Sequence, residues 1–218
     1  MSWAALTSGG KDSILACQKA IDSGNDVGFL VTVRPENRES FMFHSANLDA
    51  VAVIARVAGM KYVEVRTHGR KEEEVADLEQ GLSCLPVDGI IVGAVASAYQ
   101  NDRIAAIAEN LSLEVYAPLW QMDTKALLSE VARRMDAIIV VTAAGGLDES
   151  FLGAHINDGL IRRLQTVASR HRINLAGEGG EYESLTLDAP FYTRPVTYAT
   201  AEIRKTADRS ELVLGGFA

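Results

Sequence analysis

Residues 6–13 read Leu-Thr-Ser-Gly-Gly-Lys-Asp-Ser. They follow a short apolar run at residues 3–6 and precede residues 13–21, where apolar side chains recur at helical spacing. A strand that passes into a helix through two glycines is typical of a phosphate-binding loop. The glycines let backbone N–H groups approach an anion, and the helix start adds partial positive charge. The stretch therefore predicts a phosphate site at the end of a buried strand.

The polar side chains of this loop suit a phosphate group with a metal ion. Lys11 can neutralise phosphate oxygens, hydroxyl groups can donate hydrogen bonds to them, and Asp12 can hold Mg²⁺. The predicted phosphate-binding residues here are Ser8, Gly9, Gly10, Lys11, Asp12 and Ser13. The glycine spacing fits neither a Walker loop nor the G-x-G-x-x-G dinucleotide turn. The alternative is a polar turn with a solvated lysine.

Apolar β-rich segments alternate with amphipathic ones along the rest of the chain, which is typical of a parallel sheet with helices on both faces. Strands are predicted at residues 27–33, 62–65 and 89–94, and helices at 46–58, 71–82 and 100–111. Further on, helices are predicted at 124–135 and 157–170, a strand at 137–143, and β structure from residue 194. We therefore predict an α/β fold, with a Rossmann-like parallel sheet in residues 1–122 and a smaller α+β lobe at residues 123–218.

Composition limits the class of protein. The 218 residues are 48% hydrophobic and carry a formal net charge of −8. The negative charge argues against nonspecific nucleic-acid binding, which depends on Lys and Arg. No apolar run approaches the ~20 residues of a membrane span, and no signal segment opens the chain. The sequence thus predicts a cytoplasmic protein with no membrane partner and no direct nucleic-acid binding. It leaves a homodimer open.

The two cysteines do not form a recognisable framework. Cys17 and Cys84 are too few and too plainly spaced for a disulfide scaffold or a zinc site. Cys17 falls on the apolar face of the first predicted helix, which favours core packing. The position of Cys84 near a helix end is ambiguous.

A second chemical motif lies at residues 177–184, Gly-Glu-Gly-Gly-Glu-Tyr-Glu-Ser. In an extended strand Glu181 and Glu183 would face one side and Tyr182 the other. Such a pair of carboxylates could hold a cation, position an amine or transfer a proton. The alternative is an acidic hairpin turn that faces solvent.

Taken together, these motifs resemble a known family. The loop resembles the PP-loop, Ser-Gly-Gly-x-Asp-Ser, of the N-type ATP pyrophosphatases. The second motif resembles the Gly-Glu-Gly-Gly-Glu-Tyr-Glu-Thr signature of the diphthine-ammonia ligase family within that superfamily, with Ser184 in place of the threonine. Four further segments agree with this family in the same order: residues 42–49, 93–103, 117–120 and 146–153.

The resemblance implies an ATP-dependent amidation. In that family the carboxylate of diphthine, a modified histidine of translation elongation factor two, is activated by ATP as an adenylate with release of pyrophosphate. Ammonia, supplied as ammonium, then displaces AMP. The resemblance therefore implies ATP and Mg²⁺ as cofactors and the elongation factor as protein substrate. Two alternative hypotheses remain. The chain could be another member of the superfamily, such as one that modifies tRNA, or a nonenzymatic nucleotide-binding regulator.

The resemblance and the expected sheet geometry suggest roles for the remaining residues. Ligands of open α/β sheets bind outside the carboxyl ends of the strands. The resemblance implies that residues 8–13 bind the nucleotide, that residues 1–122 are the ATP-binding domain, and that residues 123–218 are the substrate-binding lobe. Further cofactor contacts are expected at Val33, Gly93 and Ser97. Candidate substrate-binding residues are His44, Tyr99, Gln100, Arg103, Glu178, Gly179, Gly180 and Tyr182, and candidate catalytic residues are Lys11, Asp12, Glu181 and Glu183. His44 is equally well explained as a structural histidine, Arg103 as a surface arginine and Tyr182 as a core tyrosine.

Overall fold

The computed structural model describes residues 1–36, 46–68, 73–96 and 98–218, with the side chains of residues 98–100 left out. The N-terminal part is a five-stranded parallel sheet in the order β3-β2-β1-β4-β5. Its strands are β1 (Ser2–Leu6), β2 (Asp26–Pro35), β3 (Lys61–Thr67), β4 (Gly89–Ile91) and β5 (Glu114–Tyr116). The predicted α/β class is confirmed. The strand order reverses between β1 and β4, and such a switch point opens a crevice at the carboxyl ends of the strands.

Four helices connect these strands, namely α1 (Lys11–Asp22), α2 (Asp49–Val57), α3 (Glu73–Ser83) and α4 (Ala98–Leu111). α2 begins three residues later than predicted, because Asn47 has a φ of 55° and cannot belong to a right-handed helix. β4 ends at Ile91 rather than at residue 94, because the chain then leaves the sheet and passes close to the start of α1.

The C-terminal part is a four-stranded antiparallel sheet in the order β7-β6-β9-β8. Its elements are α5 (Thr124–Arg134), β6 (Asp136–Thr142), α6 (Asp158–His171), β7 (Tyr182–Asp188), β8 (Thr200–Lys205) and β9 (Ser210–Gly215). The Asp123 carboxylate caps α5, and the Asn157 side chain caps α6. The smaller α+β lobe predicted after the parallel sheet is therefore present.

The two sheets meet at the glycine loop. β7 is one of the two edge strands of its sheet, and the Thr186 N–H donates to the Gly9 carbonyl at 2.9 Å. A second link is the Asn47 amide, which donates to the Leu212 carbonyl at 2.9 Å and accepts from the Leu214 N–H at 2.8 Å. One apolar core continues across both parts of the chain. The domain division at residues 122 and 123 stays a prediction.

The burial of the cysteines and the character of the helices test two further predictions from the sequence, namely core packing of Cys17 and the lack of a membrane span. Cys17 is fully buried in the core, as predicted, and burial raises the pKa of its thiol to about 12. Cys84 is exposed. None of the helices in the described parts of the chain has the length and apolar character needed to cross a membrane.

Candidate active site

The glycine loop is shaped by its own hydroxyl groups. Gly9 has a φ of +81°, a conformation that favours glycine. The Thr7 hydroxyl accepts a hydrogen bond from the Gly9 N–H at 2.8 Å and shares another with the Ser13 hydroxyl at 2.7 Å. The Ser13 hydroxyl also lies 3.0 Å from the Gly10 carbonyl, to which it can donate. Thr7 and Ser13 therefore brace the turn from inside. The bracing role of Thr7 was not predicted from the sequence.

Gly93 lies against the backbone of the glycine loop where α1 begins. A Cβ atom at this position would lie 2.6 Å from the Ser13 backbone nitrogen and 2.8 Å from the Asp12 carbonyl carbon. Such close backbone approach is available only to glycine. The chain after β4 thus packs directly against the first turn of α1. The structure places Gly93 beside the predicted nucleotide loop.

Lys11 points from the loop into the C-terminal part of the chain. Only 3% of the residue is exposed. Its Nζ donates to the Asp12 carboxylate at 2.7 Å and to the Ala176 carbonyl at 2.6 Å. It also lies 5.3 Å from the centre of the Tyr182 ring, within the range of a cation–π contact. This lysine therefore joins the two sequence motifs.

The charge of Lys11 is secured by its surroundings. Burial by itself would lower the pKa of the ammonium group. Asp12, Tyr182 and Glu178 together outweigh that effect, with Asp12 as the largest contributor among them, so the pKa lies above its ordinary value. The side chain is consequently a buried, permanent cation at neutral pH, which suits the stabilisation of negative charge nearby.

Asp12 has one carboxylate oxygen engaged and one available. Its Oδ2 pairs with Lys11, whereas Oδ1 is buried and has no hydrogen-bond partner among the described residues. A buried carboxylate oxygen without a donor is costly unless something else binds it. Mg²⁺ prefers oxygen ligands and takes one or two carboxylates together with substrate phosphates. Asp12 therefore fits the magnesium role predicted for it. No group of three potential metal ligands occurs in the part of the chain that the structure describes.

The second motif lies at the start of β7, but its two central carboxylates have different surroundings. Glu181 precedes β7, and its two oxygens accept the N–H groups of Asn174 at 2.7 Å and Gly179 at 2.8 Å. Glu183 lies within β7, is one-tenth exposed, and pairs with Arg209 at 3.1 Å. The two carboxylates therefore do not act as the predicted pair, because Glu181 binds backbone N–H groups and Glu183 binds Arg209. Arg209 was not predicted from the sequence, because no local pattern links it to this motif.

Tyr182 of the second motif is buried, at 3% exposure, and its ring faces Lys11 of the glycine loop. Its hydroxyl donates to the Leu175 carbonyl at 3.0 Å. Burial raises the pKa of this phenol to about 12, so the hydroxyl stays protonated and can keep donating. The cation over its ring in this structure is Lys11.

The other predicted residues lie at varied distances from this centre. Val33 is buried in the apolar layer on one face of the parallel sheet. Arg103 is half-buried in the second turn of α4, while Gly179 and Gly180 are exposed at the tip of the loop. Tyr99 and Gln100 lie in the first turn of α4, and their side chains are outside the described atoms. Ser97 and His44 lie outside the described residues.

A cavity of about 770 Å³ opens between residues 142–150 and the turn at residues 205–210. Arg209 lines it and connects its wall to Glu183 through their ion pair. Lys205 and Glu149, from opposite walls, pair at 2.6 Å. The cavity is thus bordered by charged side chains of both signs. No local sequence pattern predicts this cavity, because its walls come from distant parts of the chain.

Comparison with known proteins relates both parts of the chain to one family. A model described as the diphthamide synthase N-terminal domain matches residues 1–115, and one described as the diphthamide synthase C-terminal domain matches residues 123–212. The diphthine-ammonia ligase of Homo sapiens is 31% identical over 227 residues, covering 93% of this chain and 85% of that protein. The diphthine-ammonia ligase of Rattus norvegicus is 30% identical, covering 93% of this chain and 84% of its own length.

A solved structure shares the fold. It is titled as a predicted subunit of tRNA methyltransferase from Methanocaldococcus jannaschii DSM. The two chains superpose with a TM-score of 0.50 at 14% sequence identity, covering 87% of this chain and 98% of the other. At this identity the likeness concerns the fold alone.

Proposed function

This chain belongs to the diphthamide synthase family, and on that premise we propose that it is a diphthine-ammonia ligase. In the proposed reaction ATP activates the carboxylate of diphthine on translation elongation factor two, and ammonia converts the activated group to an amide. The observation that carries the proposal is the 2.6 Å contact of the Lys11 ammonium with the Ala176 carbonyl. This contact brings the predicted ATP loop against the motif typical of this family.

The chemistry explains why ATP is needed. A carboxylate is a poor electrophile, because ammonia would have to expel an oxide. Attack of a carboxylate oxygen on the α-phosphorus of ATP forms an acyl-adenylate and releases pyrophosphate. Ammonia then adds to the acyl carbon, AMP departs with the bridging oxygen, and the nitrogen loses a proton. Adenylation therefore supplies the leaving group that amidation requires.

The glycine loop is proposed to stabilise the charge that develops as pyrophosphate departs. Its backbone N–H groups and the start of α1 present partial positive charge to phosphate. Lys11 adds a full positive charge, which its surroundings maintain at neutral pH. Preorganised positive groups of this kind act most strongly where water is excluded. Ser8, Gly9, Gly10 and Ser13 complete the proposed phosphate site.

Asp12 is the residue proposed to hold Mg²⁺ with the nucleotide. Its buried Oδ1, which has no hydrogen-bond partner among the described residues, is the supporting observation. When bound, the ion would neutralise phosphate charge and orient the triphosphate chain. The neighbouring Lys11 would supply the second positive charge of this site.

The carboxylates of Glu178 and Glu183 in the acidic motif are proposed to receive the substrate side chain and the ammonium. Glu178 contributes to the raised pKa of Lys11, and Glu183 is held by Arg209. Carboxylates suit both the trimethylammonium group of diphthine and an ammonium ion. We further propose that Arg103, with Tyr99, Gln100 and His44, contributes substrate contacts, and that Val33, Gly93 and Ser97 border the nucleotide.

The proposed protein partner is the elongation factor, which the enzyme binds transiently in the cytoplasm.

An assay with isotopically labelled ammonium tests the proposed function. The protein, ATP, magnesium and diphthine-bearing elongation factor two are mixed with the label, and the peptide that contains the modified histidine is analysed by mass spectrometry. Labelled amide that forms only with ATP is expected. If ATP binds but the peptide keeps its carboxylate, the assigned substrate is wrong.

A further inference from the structure

The loop at residues 174–182, which we call the lysine clasp, surrounds the end of the Lys11 side chain. The Ala176 carbonyl accepts from Lys11 Nζ at 2.6 Å, and the Ala176 N–H donates to the Asn174 side chain at 2.8 Å. Both polar groups of the Ala176 backbone are therefore occupied, and one of them holds a cation that lies 165 positions earlier in the chain.

Glu181 closes the lysine clasp from one side. Its two oxygens accept from the backbone of Asn174 at 2.7 Å and of Gly179 at 2.8 Å, so one carboxylate ties together both ends of the turn. Hydrogen bonds from N–H groups to an ionised carboxylate are short and strong. With both oxygens occupied by its own loop, Glu181 has the surroundings of a residue that shapes the backbone rather than one that binds substrate.

Tyr182 closes the lysine clasp from the other side. Its hydroxyl donates to the Leu175 carbonyl at 3.0 Å, next to the carbonyl that holds Lys11, and its ring lies 5.3 Å from Lys11 Nζ. Gly177 must be glycine here, because it has a φ of +80° and a Cβ atom would lie 2.9 Å from the Tyr182 carbonyl oxygen. The tyrosine thus fixes both the carbonyl segment and the position of the ammonium.

We infer that the lysine clasp positions Lys11 for the adenylation step, with Glu181 and Tyr182 as positioning residues that do not touch the substrate. The loop itself holds the Lys11 ammonium through Asp12, and the lysine clasp adds the Ala176 carbonyl and the Tyr182 ring. The C-terminal motif thereby completes the phosphate site. This inference rests on the proposed function for its kinetic test but not for its structural one.

The kinetic test separates adenylation from amidation. ATP–pyrophosphate exchange is measured with diphthine-bearing elongation factor two and without ammonium, and KM for ammonium is measured in the full reaction. We expect Glu181→Gln and Tyr182→Phe to lower the maximal exchange rate by about 100-fold, the effect of a displacement near 1 Å at a reacting centre. KM for ammonium should not change. Unchanged exchange with a raised KM for ammonium would overturn the inference, because it would place these side chains on the substrate.

The structural test follows the accessibility of Lys11 without any substrate. The folded protein is acetylated briefly with acetic anhydride, and the labelling of Lys11 relative to Lys19 is measured by peptide mass spectrometry. Lys11 should label more slowly than Lys19 in the parent protein, because its side chain is 4% exposed against 25% for Lys19. Glu181→Ala and Tyr182→Phe should raise the ratio several-fold. An unchanged ratio in both variants would refute the clasp.

Glu130→Gln is the matched control. Glu130 lies on α5, and its carboxylate pairs at 2.9 Å with Lys19, which shares α1 with Lys11. The substitution should therefore release Lys19 but not Lys11. Should Glu181→Ala fail to fold, Tyr182→Phe keeps the test available, because it removes one oxygen atom and retains the ring. If the parent protein makes no amide, the proposed function fails, while the labelling ratio still decides whether the clasp exists.

Discussion

Substitution of Gly93 by alanine should damage both stability and the nucleotide site. The added Cβ atom would lie 2.6 Å from the Ser13 nitrogen and 2.7 Å from the Ser13 Cα. Ordinary contact begins at 3.4 Å, so backbone must move by about 0.8 Å. The atoms in the way are backbone rather than a flexible side chain, and therefore no rotamer change can relieve the clash. Either the chain after β4 or the first turn of α1 has to shift.

The size of the effect follows from known overpacking. Extra methyl groups in tightly packed sites cost about 1–3 kcal/mol of unfolding free energy. For a chain of this length that corresponds to a fall in Tm of roughly 2–12 °C. Because the displaced atoms belong to the predicted phosphate loop, we also expect the adenylation rate to fall by about 100-fold.

The assay combines thermal unfolding, isothermal titration with ATP and pyrophosphate release. Gly145→Ala is the control for stability and ATP affinity, because its φ is not in the left-handed region and the nearest atom to a Cβ there is 3.6 Å away. Equal Tm and equal ATP affinity in Gly93→Ala and the parent protein would show that this glycine does not position the loop.

Three further perturbations test separate features. Asn47→Ala removes two hydrogen bonds to β9 and should lower the free energy of unfolding by about 1–3 kcal/mol; in urea titration, a loss no larger than that of the exposed control Asn110→Ala would contradict this. Asp12→Asn should remove the strengthening of ATP binding by Mg²⁺, seen by titration with and without the metal, whereas unchanged strengthening would exclude Asp12 as its ligand. A thiol reagent should modify Cys84 in the folded protein but reach Cys17 only after unfolding, because burial shields that thiol and raises its pKa to about 12; equal rates in the folded protein would contradict the burial.

The fold class could be predicted because its signals are local. The glycines of the loop, the apolar run before it and the helical spacing after it all lie within about one strand–loop–helix unit. Alternating apolar segments then indicate a parallel sheet. The predicted ends of strands and helices were less accurate where contacts with other parts of the chain or a special backbone conformation determine them. Gly93 ended β4 early by packing on α1, and the positive φ of Asn47 delayed α2.

The candidate site was harder to predict, because its partners are distant in sequence. The alternation rule placed Glu181 and Glu183 on one side of a strand, but β7 begins only at Tyr182. Glu181 therefore belongs to a turn and binds backbone, while Glu183 meets Arg209 across the sheet. The attachment of Lys11 to a carbonyl 165 positions away is likewise invisible to any local pattern.

We propose that the loop activates a carboxylate by adenylation, and the nucleotide products of the reaction report on this step. ATP, ammonium, magnesium and diphthine-bearing elongation factor two are incubated with the protein, and nucleotides, pyrophosphate and amide are quantified together. We expect AMP, pyrophosphate and amide in equal amounts. Amide formed together with ADP and inorganic phosphate would contradict this proposal, because cleavage would then occur at the γ-phosphate rather than at the α-phosphorus.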